Sequence, residues 1–199
     1  KTININKDNN IFINLKSINE MRRNLVSKLI EVRENKKVHE VIINDSTINE
    51  INNDSNDFKI TALVRNEEQL LACIDNKVDR IYVTDYDLYK KYKNDNIYYR
   101  LKRVNMNYQE LENENLLVTE IGSLNKYKDN DNLVSDYTLN VSNSYSIDLL
   151  NKQNVKVITL STELTDTQIK DIIEKFDKKP NLELIVYGPL EIMITKYCI

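Results

Sequence analysis

Apolar residues fall in short blocks along this chain, and the period of the blocks changes. Ile18, Met21, Leu25, Leu29 and Val32 recur every three or four residues, which predicts a helix over 18–34. Ser17 and Glu20 form a capping-box pair that predicts its start. Arg22, Arg23, Lys28 and Arg33 fall on the other face and read as a solvated surface. Upstream, residues 3–5 and 11–15 are β-prone runs around the turn sequence Lys7-Asp8-Asn9-Asn10, which predicts a hairpin. Downstream, residues 36–57 are mostly polar and read as a linker, with one strand-like run at 38–43.

From Phe58 the pattern becomes regular. Strand-like runs at 60–64, 81–83, 97–104, 116–118, 133–141, 155–160 and 182–187 alternate with helix-like runs. The helices are predicted at 67–75, 88–92, 108–114, a short turn after Ser123, 144–152, and 166–175 with Thr165 as cap. Leu70, Leu71 and Ile74 are expected to form the inward face of the first. Strand–helix alternation at roughly twenty-residue spacing implies parallel strands joined by right-handed crossovers. An open sheet that binds a nucleotide would show a Gly-rich turn after a strand, and neither GxGxxG nor GxxxxGK[ST] occurs. The pattern therefore predicts an α/β fold: a partial or truncated (β/α)8 TIM-type barrel over 58–199, with a helix and hairpin from a preceding domain, plus the linker, over 1–57. The eighth strand is expected from 38–43 or from beyond Ile199. An open seventh strand would leave an unpaired edge, so a homodimer or a cover supplied by residues 1–43 is expected.

Composition narrows the function classes. Residues are 41% hydrophobic and 30% charged, which suits a folded domain. Net charge is −3, so there is no global basic field for nucleic acid or an acidic membrane. No apolar run approaches the roughly 20 residues that span a bilayer, and no membrane partner is expected. The polar start shows no signal peptide, and the two cysteines suit a reducing cytoplasm. With only 2 Gly and 2 Pro, Asn is expected to take the left-handed turn positions.

Reactive groups in parallel barrels sit at the C-terminal ends of strands and in the loops that follow. Those positions hold Asp85, Arg103, Glu120, Asn140, Asn143, Glu163, Tyr187 and Gly188. Asp136 is more telling, because it falls inside the strand-like run 133–141, and a carboxylate pointing into a barrel needs a partner such as Arg103. Arg103, Asp136, Asn140, Asn143, Glu163 and Tyr187 together form the candidate pocket. A carboxylate pair of Asp136 with Glu163 or Glu120 is one candidate acid–base arrangement. The single histidine, His39, lies in the linker, which disfavours a Ser-His-Asp or Cys-His arrangement. Cys73 reads as a packed helix residue. Cys198, just past the last strand, sits where a metal or cofactor could bind, but one cysteine cannot hold a cluster.

Three ordered motifs carry a resemblance. Asp136-Tyr137-Thr138-Leu139-Asn140-Val141-Ser142-Asn143-Ser144 resembles the DYSLNVFNS strand of the collagenase-like peptidase family U-32. Thr159-Leu160-Ser161-Thr162-Glu163-Leu164 is similar to its TLSPEL segment, with Thr162 in place of proline. Val186-Tyr187-Gly188-Pro189-Leu190-Glu191-Ile192-Met193, with Tyr197-Cys198, resembles its VYGRLPLM and YC segment. Ile18-Asn19-Glu20-Met21-Arg22-Arg23 looks like the LNELRR helix that precedes the last barrel of long members. Leu101-Lys102-Arg103 stands in the place of an LPR strand, with Lys102 replacing the proline. The resemblance implies a C-terminal barrel fragment of a long member, a hydrolase acting on protein or peptide, that works with the rest of the same polypeptide. Some relatives modify RNA by hydroxylation and bind an iron–sulfur cluster through cysteines. That implies an alternative with an RNA substrate, in which Cys198 is a cluster ligand completed by cysteines elsewhere in the full-length protein and this fragment alone holds no cofactor. The missing histidine and nucleophile constellation supports a third expectation, a non-catalytic binding module.

Overall fold

The computed structural model describes residues 14–34, 58–176, 180–191 and 193–195. The chain divides into two compact units, Lys1–Asp45 and Ser46–Ile199. In the first, helix α1 spans Leu15–Glu34, and its residues are exposed. It begins earlier than the capping-box pair predicts. Asn14 caps it instead, accepting from Lys16 N at 3.0 Å, so Ser17 lies in the first turn. Leu15, three residues before Ile18, extends the apolar spacing back to the residue that follows Asn14. The expected hairpin up to residue 13, the strand at 38–43, His39, the linker to 57 and Cys198 lie outside the described residues.

The second unit is a seven-stranded sheet of order β1-β2-β3-β4-β5-β6-β7, parallel throughout. The strands are β1 Thr61–Val64, β2 Arg80–Val83, β3 Ile97–Arg100, β4 Leu116–Val118, β5 Leu133–Ser135, β6 Val155–Thr159 and β7 Leu182–Glu183. The helices are α2 Glu67–Asp75, α3 Tyr86–Tyr92, α4 Ile121–Lys126, α5 Ser144–Lys152 and α6 Asp166–Ile173. Side chains alternate between the two faces of each strand. One face carries Val64, Ile81, Val83, Ile97, Leu116, Val118, Leu133 and Ile158, which pack with Leu70, Tyr89, Ile147 and Ile172 of the helices in the main core. The other face carries a smaller apolar layer of Tyr82, Leu117 and Val134, with Tyr98 and Val157 against it.

The sheet is curled, and one contact shows it. β2 and β7 are five strand positions apart, about 24 Å in a flat sheet. Yet the Tyr82 hydroxyl on β2 donates to Glu183 on β7 at 2.7 Å. Two side chains span that distance only if the sheet bends around its smaller apolar layer. This α/β half-barrel matches the expected partial barrel at the level of strand order, direction and curvature. Among the described residues, no helix is long and apolar enough to cross a membrane.

Five local expectations are corrected. The run at 133–141 is not one strand. β5 stops at Ser135, where Asp136 accepts its neighbour's amide, Tyr137 N, at 2.8 Å and caps a 3-10 turn at Tyr137–Leu139. Asn140 then takes a left-handed φ of 52°, and Val141 makes a single parallel bridge to Leu160, just past the end of β6. The run at 97–104 shortens to β3, and that at 182–187 to two residues. No helix forms at 108–114. Asn113 has a φ of 56°, which a helix interior does not accept. On α2, Leu70 is buried and Cys73 packs against the core, whereas Leu71 and Ile74 are exposed, so the inward face is rotated from the expected one. Asn113, Asn140 and Asn154 do occupy left-handed positions, as the shortage of glycine predicts.

Candidate functional site

The inner face of the curled sheet is where polar groups converge. Its alternation places Arg80 and Tyr82 of β2, Arg100 of β3, Thr159 of β6 and Glu183 of β7 on the same side as Leu117 and Val134. Asp136 follows β5 on that side too. A cavity of about 450 Å³ opens there, lined by Tyr82, Arg100, Leu117, Asp136, Tyr137, Thr159, Glu183 and the segment 184–191. Thr61, Leu63 and Arg65 complete its wall from the β1 side.

Two hydrogen-bonded groups occupy this cavity. In the first, Glu183 accepts from the Tyr82 hydroxyl at 2.7 and 3.0 Å and from the Thr159 hydroxyl at 3.0 Å. Arg80 stands 3.6 Å from the same carboxylate. Burial, followed by the neighbouring Glu183 charge, raises the Tyr82 phenol well above its ordinary range, so it remains a hydrogen-bond donor.

The second group is centred on Arg100, whose side chain is 7% exposed. Its Nε and Nη2 donate to Asp136 Oδ2 at 3.0 and 2.8 Å. Nη1 and Nη2 reach Glu191 Oε1 and Oε2 at 3.0 and 3.3 Å. Burial pushes the Asp136 carboxyl above the usual aspartate range, and the Arg100 charge and hydrogen bonds pull it back. The more exposed Glu191 goes the other way: its hydrogen bonds to Arg100 hold it below the glutamate range, with Arg103 and Arg65 adding to the pull. The contrast follows from burial, since both carboxylates share one guanidinium.

The residues singled out in the sequence separate. Asp136 and Tyr187 line the cavity, Tyr187 on its rim and almost fully exposed. Arg103 is not the partner of Asp136. That role falls to Arg100, three residues earlier, because β3 ends there with its last side chain facing inward. Arg103 instead donates to the Glu191 carbonyl at 3.4 Å. Asn140 accepts from the Ser161 hydroxyl at 2.7 Å in its turn. Asn143 caps α5 through Ser146 N at 2.9 Å. Glu163 is exposed in the turn before α6, and Glu120 caps α4. None of these four lines the cavity. Arg100, Tyr82, Thr159, Glu183 and Glu191 also line the cavity but are not among the residues that the sequence singled out. The alternation of Arg80-Ile81-Tyr82-Val83 and Ile97-Tyr98-Tyr99-Arg100 carries the signal for Tyr82 and Arg100: with Ile81, Val83, Ile97 and Tyr99 outward, both point inward.

The described residues do not fit an iron–sulfur cluster or a metal. Among them no group of three or more His, Cys, Asp or Glu is placed to hold an ion, and Cys73 packs against the core behind the sheet.

Residues 68–199 match the family model described as Peptidase family U32. No curated protein and no solved structure matches the chain.

Proposed function

Because the chain belongs to peptidase family U32, we propose that its curled sheet forms part of a (β/α)8-type barrel that binds polypeptide at its mouth and hydrolyses it there. One observation carries this reading: the family match covers Tyr82, Arg100, Asp136, Thr159, Glu183 and Glu191, and those residues line one cavity. Apolar Leu63, Leu117, Leu184 and Leu190 give a peptide side chain somewhere to sit. The exposed Val186 and Tyr187 form a lip that an extended chain can cross.

In this reading Glu183 is the general base. It takes a proton from water, the water oxygen adds to the peptide carbonyl carbon, and the proton passes to the departing amine as the C–N bond breaks. Tyr82 and Thr159 position the carboxylate. Asp136 is a positioning residue that fixes Arg100, and Arg103 and Tyr187 border the entrance.

The test is incubation of the whole protein with gelatin and a mixed-sequence peptide pool, with new termini read by mass spectrometry. Cleavage is expected, and Glu183→Gln is expected to slow it by about 100-fold or more. Absence of new termini with the wild-type protein would overturn the reading. Cleavage retained by Glu183→Gln would remove that residue from the role.

A further inference from the structure

Arg100 divides its hydrogen bonds between a fixed partner and a removable one. Asp136 is 5% exposed and is tied to the sheet by its own amide, which donates to Val118 O at 2.8 Å. Glu191 has a side chain 30% exposed and sits in the irregular segment that follows β7. Its main chain is held by two longer bonds, from its amide to the Tyr137 hydroxyl at 3.3 Å and from Arg103 to its carbonyl at 3.4 Å. The guanidinium edge turned toward Glu191 makes two parallel bonds, one to each carboxylate oxygen, a geometry suited to a planar carboxylate. The charges of Arg65 and Arg103 reinforce that edge.

We propose that this edge of Arg100 is a binding site for a ligand carboxylate, and that Glu191 is an internal stand-in which a ligand displaces. The ligand is a peptide bearing a carboxylate, either its C-terminus or an acidic side chain. This rests on the reading that polypeptide enters the cavity, and it names the feature by which the cavity selects its substrate. The stand-in is itself a peptide-borne carboxylate, and apolar Leu117 and Leu190 line the same cavity. Phosphate would match the charge, but it makes no use of those apolar walls.

A site occupied from within binds an outside ligand more weakly by the fraction of time it is free. Three fluorescein-labelled peptides of one core sequence separate the possibilities. One has a free C-terminus and no acidic residue, one is its neutral C-terminal amide, and one is the amide with a single internal Glu. Binding to the whole protein is read by fluorescence anisotropy for wild type and Glu191→Ala. This variant removes a partly exposed side chain and leaves the Arg100–Asp136 pair intact. Glu191→Ala is expected to bind at least one carboxylate peptide about tenfold or more tighter than wild type does, with no gain for the neutral amide. Which carboxylate peptide gains identifies the C-terminus or the side chain as the ligand. Equal binding of all three peptides by Glu191→Ala, or no binding of any, would overturn the proposal. The readout involves no cleavage, so a carboxylate-selective peptide that is bound but never cut would sink the peptidase reading and leave this one standing.

Discussion

Replacing Arg100 by Leu is expected to destabilise the parallel-sheet unit by about 3–5 kcal/mol at neutral pH, as removal of one partner from a buried ion pair does. The substitution leaves Asp136, 5% exposed, without its cation, and leaves Glu191 facing it. The loss is a large part of the roughly 5–15 kcal/mol that holds a domain together. Its pH dependence is distinctive. A carboxyl whose folded-state pKa lies above its unfolded value binds protons more tightly when folded. Such a group favours folding at low pH, and that contribution fades as pH rises through the folded value. Burial already raises Asp136 against the pull of Arg100, and the variant removes the pull. The deficit relative to wild type should therefore be largest near pH 7 and should shrink as pH falls through the raised folded-state value of that carboxyl. Urea unfolding of both proteins across that range measures it. A deficit that stays constant or grows on acidification would mean that Asp136 is not a buried carboxylate balanced by Arg100.

Leu116→Ala and Leu117→Ala, one residue apart on β4, should differ sharply. Leu116 is fully buried in the main core between the sheet and the helices. Truncating it leaves a closed void there and is expected to cost about 3–5 kcal/mol. Leu117 is also buried, at 3% exposed, but it borders the open cavity on the inner face. Space made there joins a volume that water can enter, so the expected cost is about 1–2 kcal/mol, nearer the transfer free energy alone. Equal costs would mean that the two faces of the sheet do not differ as the curled architecture requires.

How far the sequence displayed this architecture depended on what each segment had to satisfy locally. α2 and α5 occupy the predicted residues, because Asn66 and Asn143 cap helices whose apolar spacing is unambiguous. The central strands were legible from their short apolar and aromatic runs. The segment after β5 was not. Its apolar residues continue the strand pattern through Leu139 and Val141, but the side chain of Asp136 competes with the ladder and turns the chain into a 3-10 turn. The loop between β3 and β4 was misread for the converse reason. Leu111 is buried there at helical spacing from Tyr108, but Asn113 is left-handed.

The site was half legible. Asp136 was legible because a carboxylate inside the strand-like run at 133–141 demands a partner. Its arginine was not, since the end of β3 depends on ladder bonds that the sequence does not display. Glu183 and Glu191 could not be paired with their partners from sequence. Glu183 meets Tyr82 101 residues away, and Glu191 meets Arg100 91 residues away, both through curvature of the sheet.

Entry of polypeptide at the inner cavity is the proposal on which both the cleavage and the carboxylate site depend. The most direct test is photo-cross-linking of a peptide carrying a benzophenone side chain to the whole protein, with the attachment sites mapped by mass spectrometry. Attachment within segment 184–191, at Tyr137 or at Leu63 is the predicted result, because these residues line the opening. Attachment confined to the outer helices α2 to α6 would contradict it.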